Sequence, residues 1–329
     1  MMGNLVEITA ADGGRFNAYV AMPEGGSGPG LVLLQEAFGV TQFMRDMADR
    51  FASDGYVVTV PDLYWRIEAG VELTDAEFDR AMDIYRQFDL NLAIDDIKAT
   101  IGALRAMPEQ RGGVGAVGFC LGGRLAAMAA ARTDIDCAVA YYGVGITDHL
   151  DELEQVRIPL GFHFGTEDQD CAADIAPIAA LAERHDNVSL WMYNKAGHGF
   201  ANPHRGFFSA AAEELAYIRT LAIIRAAIGP KFDLEGMWGR IETGETAKRL
   251  QIRVDVEAAR RLIGDERART QSIDSDGATI RKQGMADRQC HDQGLAVHEA
   301  RLDQFVKNRQ PYGADIDLTQ AQRLDLMKH

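Results

Sequence analysis

The chain has 329 residues, of which 47% are hydrophobic, and a formal net charge of −15. That is ample material for a buried core, and it offers no electrostatic footprint for nucleic acid. The same charge repels anions at long range, so an anionic substrate would need a local arginine. The start, Met1-Met2-Gly3-Asn4, lacks the charged, apolar and small-residue pattern of a signal peptide. No apolar stretch is long enough to span a bilayer, the segment from Leu215 to Ile228 being broken by Arg219 and Arg225. Cys120, Cys137, Cys171 and Cys290 fit no zinc or disulfide spacing. Free thiols point to a reducing compartment, and the cytoplasm is the expected location.

In chain order, Val6 to Val20 alternates around Asp12-Gly13-Gly14 and reads as a β-hairpin. After a Gly/Pro/Ser loop, Leu31-Val32-Leu33-Leu34 is a solid apolar run typical of a strand buried on both faces. Thr41 to Ser53 has helical spacing and stops at Gly55, and Tyr56 to Val60 is the next strand. Helices are then expected at 92–105, 123–132, 175–185 and 210–227. Strands are expected at 114–119, 137–142, 160–165 and 188–193. This alternation predicts a mostly parallel sheet flanked by helices, with chemistry in the loops beyond the strands' carboxyl ends.

One such loop is Gly118-Phe119-Cys120-Leu121-Gly122-Gly123. A tight strand-to-helix turn leaves no room for side chains around its reactive residue, which is why glycines flank it. Cys120 would sit at a helix N-terminus, where the dipole and free N–H groups favour a thiolate, and the N–H of Leu121 would form half of an oxyanion hole. Another loop, Gly165-Thr166-Glu167-Asp168, follows a strand and supplies a carboxylate. Asp168 is the expected partner, with Glu167 and Asp170 left open as neighbours. His198, between Gly197 and Gly199, has a ring free to reach the thiol and the acid. The order Cys120, Asp168, His198 is the nucleophile–acid–base order of α/β-hydrolases.

These segments, GFCLGG, GTED and AGHGF, together with Gln35-Glu36-Ala37-Phe38-Gly39, Pro61–Tyr64 and Tyr141-Tyr142-Gly143, resemble the dienelactone hydrolase (carboxymethylenebutenolidase) family over nearly all of residues 1–229. The resemblance implies an α/β-hydrolase fold and a hydrolase of activated esters or lactones that works through a thioester, with no cofactor and no metal. It implies that Glu36 sits beside the cysteine and helps to activate it, and that Ala37 offers the second oxyanion N–H. It also implies substrate-binding arginines, for which Arg80 and Arg205 are the nearest candidates, and a substrate-facing Tyr141. The family's arginine four residues after the histidine is Asn202 here. The expected partner is a small ester or lactone, with no nucleic acid and no membrane. The alternative is a non-catalytic protein of the same fold that binds a small carbonyl ligand or a protein.

Past Gly229-Pro230 the character changes. Residues 230–329 are rich in Arg, Asp and Gln and form a polar C-terminal extension, separate from a catalytic domain at 1–229. Helices at 254–263 and 294–306, and turns at Gly277 and Gly313, are expected there. Cys290, His291 and His298 are better explained by a polar helix surface than by a metal site.

Overall fold

The computed structural model describes residues 3 to 230. The helices and turns expected beyond Pro230, with Cys290, His291 and His298, lie outside the described residues. The chain opens with the hairpin β1 (Asn4–Thr9) and β2 (Arg15–Ala21), whose register pairs Thr9 with Arg15 across the Asp12-Gly13 turn. β3 (Gly28–Leu34) follows, with every residue buried. Leu31 to Leu34 are fully excluded from solvent. Each such side chain contributes about 1.5–3 kcal/mol relative to exposure. This is why a run without alternation makes a central strand.

α1 (Gln42–Ser53) buries Phe43, Met44, Met47, Ala48 and Phe51 along one stripe and leads to β4 (Val57–Pro61). α2 (Phe78–Gln87) was not expected; it buries Ala81 and Ile84, with Met82 and Tyr85 half-buried against the core beside them, a short stripe among charged residues. A 3-10 turn, Asp75–Glu77, precedes it and is held by a Thr74–Glu77 capping box. That Thr-x-x-Glu spacing was one available signal. α3 (Leu90–Ala106) starts two residues before the predicted point because Asp89 caps the N–H groups of Asn91 and Leu92.

β5 (Gln110–Phe119) runs into α4 (Leu121–Arg132), and β6 (Cys137–Tyr141) into the short α5 (Leu150–Leu153). β7 (Leu160–Gly165), α6 (Ala172–Arg184), β8 (Val188–Tyr193) and α7 (Ala210–Ile228) complete the described chain.

The eight strands form one sheet in the order β1-β2-β4-β3-β5-β6-β7-β8. β2 is antiparallel to both of its neighbours, and β3 to β8 run parallel. The expected mostly parallel sheet flanked by helices is the architecture found. The parallel strands aim the loops after β3, β5, β7 and β8 to the same edge of the sheet. No helix among the described residues is long and apolar enough to cross a membrane.

Candidate active site

The turn from β5 to α4 is built by close backbone approach. A Cβ at Gly118 would lie 1.8 Å from the carbonyl oxygen of Gly122, and one at Gly122 would lie 2.1 Å from that of Leu34. Between them Cys120 takes φ 55°, ψ −116°, a conformation that L-residues rarely adopt. The turn is pinned on both sides: the Cys120 N–H donates to Tyr141 O at 3.0 Å, and the Gly122 N–H to Gln35 O at 2.9 Å. The second bond ties the elbow to the loop carrying Glu36 and Ala37. Neither the Leu121 nor the Ala37 N–H has an acceptor among the described residues.

The acid and histidine loops meet through another glycine. A Cβ at Gly165 would lie 2.1 Å from Ala196 O, and that closeness lets the Glu167 N–H donate to Ala196 O at 2.9 Å. Lys195, at φ 56°, adds a bond from its N–H to Thr166 Oγ1 at 2.9 Å. The two loops are thereby held in register.

Cys120, His198 and Asp168 form one chain. Cys120 Sγ lies 3.3 Å from His198 Nε2, and His198 Nδ1 lies 3.0 and 3.3 Å from the two oxygens of Asp168. Asp168 is buried and also accepts from the N–H groups of Asp170 and Cys171. Of the three neighbouring acids it is the one that meets the ring. Glu167 is exposed, and Asp170 is exposed and 4.0 Å away.

Burial works against the charged form of His198. The Cys120 sulfur on one side and the Asp168 hydrogen bond on the other outweigh it and hold the ring's proton well above the usual histidine range. Burial likewise works against an ionised Asp168, yet the His198 hydrogen bond and charge keep its carboxyl below the usual range. The two shifts define a pH window. The raised histidine stabilises the fold fully below its unfolded value of 6.5 and loses that contribution as pH rises. The lowered aspartate contributes above 3.8 and loses it as pH falls. The stability gap between wild type and Asp168→Asn is therefore expected to peak at about 1–3 kcal/mol between about pH 4 and 6.5. Urea melts across pH 3 to 9 would show it, and a gap constant in pH would count against the charge pair.

A second cysteine touches the same ring. Cys171 Sγ lies 3.9 Å from His198 Nδ1 and donates to Gly143 O at 3.6 Å. Sequence reasoning overlooked it because no turn signal marks it. Asp168, Cys171 and His198 place ligand atoms within 4.8 Å of one another. The two cysteines differ physically. Cys171 has no exposed surface, and burial pushes its thiol up to about 12, whereas Cys120 is half-buried on the Nε2 side.

Glu36 is buried and accepts from Asn202 Nδ2 at 2.7 Å, and Arg205 Nη2 lies 3.6 Å from the same oxygen. Among the described residues no hydrogen bond joins Glu36 to Cys120. Both lie within electrostatic reach of the Tyr142 hydroxyl, where burial first and then Glu36 and Cys120 push the phenol's ionisation up. Asn202 occupies the position of the expected arginine, while Arg205, three residues on, supplies the cation.

Two expected substrate contacts are corrected. Tyr141 is 1% exposed, and its hydroxyl bonds Thr220 on α7 at 2.6 Å. Thr220 also meets His163 Nε2 at 3.1 Å, and the Tyr141 and His163 rings lie 4.6 Å apart, so the tyrosine belongs to a core network. Arg80 pairs with Glu68 at 2.6 Å and Glu77 at 3.7 Å, and does not join the cluster.

The chain matches the dienelactone hydrolase family over residues 16–228, more than half its length. It is 37% identical to a carboxymethylenebutenolidase of Cupriavidus pinatubonensis, over 68% of this chain and 97% of that one. It is 36% identical to a carboxymethylenebutenolidase of a Pseudomonas species, over 68% and 96%. Among solved structures, a putative dienelactone hydrolase of Klebsiella pneumoniae superposes with TM-score 0.60 at 22% identity, covering 68% of this chain and 97% of that one. A dienelactone hydrolase-like promiscuous phosphotriesterase from metagenomic libraries gives 0.58 at 21%, covering 70% and 100%. These two show the likeness of fold. The chain belongs to the dienelactone hydrolase family of α/β-hydrolases and is a carboxylic ester hydrolase.

Proposed function

We propose that the protein hydrolyses activated esters or lactones with Cys120 as nucleophile, His198 as base and acid, and Asp168 orienting the ring. The observation that carries this reading is the chain of contacts from the Cys120 sulfur through His198 to Asp168. The sulfur attacks the carbonyl carbon, and the oxyanion lies between the N–H groups of Leu121 and Ala37. Collapse breaks the carbon–oxygen bond, and His198 gives its proton to the leaving alkoxide. Water, deprotonated by His198, then attacks the thioester and releases the acid and the Cys120 thiol. Glu36, buried beside Asn202 and Arg205, is assigned to shaping the charge around the sulfur.

The curated relatives' name makes a butenolide lactone a natural member of the test panel, beside aryl esters of short acids. Wild type is expected to turn over at least one of them, with activity lost on stoichiometric alkylation of Cys120. Activity that survives complete alkylation would sink the proposal. We assign the chemistry to residues 1–229, so a chain ending near Pro230 is expected to hydrolyse the same substrate within about twofold of the full protein, since no group in the proposed steps lies later. A folded but inactive shortened chain would move part of the site into residues 230–329.

A further inference from the structure

The surroundings of Glu36 carry information about the substrate's charge. Arg205 is the cation that faces Glu36, and its guanidinium is committed on three sides. Nη2 faces Glu36 at 3.6 Å, Nη1 donates to Asp75, and the planar face lies 3.7 Å from the centre of the Phe38 ring. A carboxylate ligand is gripped through the two terminal nitrogens of such a fork. Here both already point at side-chain carboxyl groups, two acids facing one guanidinium.

Asp75 is on the 3-10 turn before α2, and its position is built into the backbone. The segment leading to it is latched to the loop that carries Glu36. Gly39 bridges Glu72, the Leu73 N–H donates to Phe38 O at 2.9 Å, and a Cβ at Gly39 would lie 1.8 Å from Val71 O. Beside the pair, Phe78 is 53% exposed, with its ring 6.3 Å from that of Phe38, an apolar surface at the same place.

We propose that Asp75 sets the charge preference of this site. By closing the second edge of Arg205 it excludes acyl groups that bear a carboxylate and favours uncharged ones, for which Phe78 offers contact. For substrates this rests on the hydrolase reading above, but the charge preference itself can be measured without turnover. Iodoacetamide and iodoacetate form the same carbon–sulfur bond with Cys120 and expel iodide, and they differ in one negative charge.

With the full-length protein, and labelling assigned to Cys120 by peptide mapping, the iodoacetamide-to-iodoacetate rate ratio is expected to exceed that of glutathione by about tenfold. Asp75→Asn should lower the ratio by about three- to tenfold, roughly the effect of removing one solvent-screened charge. Asp75→Ser should do the same, and adding Arg205→Met to Asp75→Asn should restore the preference. A wild-type ratio no larger than that of glutathione, or one unmoved by both Asp75 variants, overturns the inference.

Hydrolysis of p-nitrophenyl butyrate and of the anionic p-nitrophenyl hemisuccinate separates the two ideas. If the labelling ratios behave as expected and neither ester is cleaved, the charge preference stands and the hydrolase reading falls. If both are cleaved with a kcat/KM ratio unmoved by Asp75→Asn and the labelling ratio also unmoved, the hydrolase reading stands and the charge preference falls.

Discussion

Replacing Cys120 with alanine is expected to lower kcat/KM toward an aryl ester by about 10⁴-fold or more, the scale seen when a hydrolase loses its nucleophile. The loss should fall on turnover and not on folding. Alanine keeps the Cβ that the φ 55° turn already tolerates, and the turn's own bonds to Tyr141 O and Gln35 O involve backbone only. The informative control is Cys171→Ala. Its sulfur lies on the Nδ1 side of His198, where Asp168 already binds, so activity is expected to fall by less than about tenfold. The fold should lose about 1–2 kcal/mol, because a buried sulfur and its contact with Gly143 O are removed. Parallel kinetics and urea melts of the two variants separate the cysteines. Equal losses of activity would mean that the sulfur-to-Nε2 geometry does not decide the nucleophile.

The second large effect is structural. Gly118→Ala is expected to destabilise the protein by more than about 3 kcal/mol, because the new methyl group would lie 1.8 Å from Gly122 O and 2.2 Å from its carbonyl carbon. Both atoms are backbone, so no side chain can swing aside, and relief must come from moving α4 and with it Cys120. Gly102 on α3 has nothing within 4 Å of an added Cβ. Gly102→Ala there should stabilise by about 0.5–1 kcal/mol. Denaturant melts of the two variants check both signs, and a mild effect at Gly118 would show that the elbow is looser than its geometry implies.

Much of the fold was legible in the sequence, because buried strands announce themselves locally. β7 and β8 start and stop where their apolar runs do, and the Gly-flanked cysteine and histidine mark their own turns. What escaped was decided at a distance. α2 is the exception, since its capping box and its short stripe of Ala81, Met82, Ile84 and Tyr85 were both local signals. Cys171 reaches His198 only because α6 begins where the acid loop turns back. The family's arginine position is Asn202 and the nearest arginine Arg205, and that both reach Glu36 depends on how the loop after His198 curls. Tyr141 was misread for a simple reason. Tyr141 ends β6 with its hydroxyl on Thr220, whereas Tyr142, just past the strand at φ 37°, packs against His198 with ring centres 5.2 Å apart. Asp75 and Arg205 lie 130 positions apart in the chain, and no local pattern links them.

The central claim is that a covalent acyl group passes through the Cys120 sulfur. Rapid acid quenching of full-length protein mixed with a slowly deacylating aryl ester, followed by peptide mapping, tests it directly. The predicted result is one acyl group per chain on the peptide containing Cys120, forming at the rate of the product burst and decaying at the steady-state turnover rate. Acyl groups on Cys171, or steady turnover with Cys120 unmodified at every quench time, would contradict it.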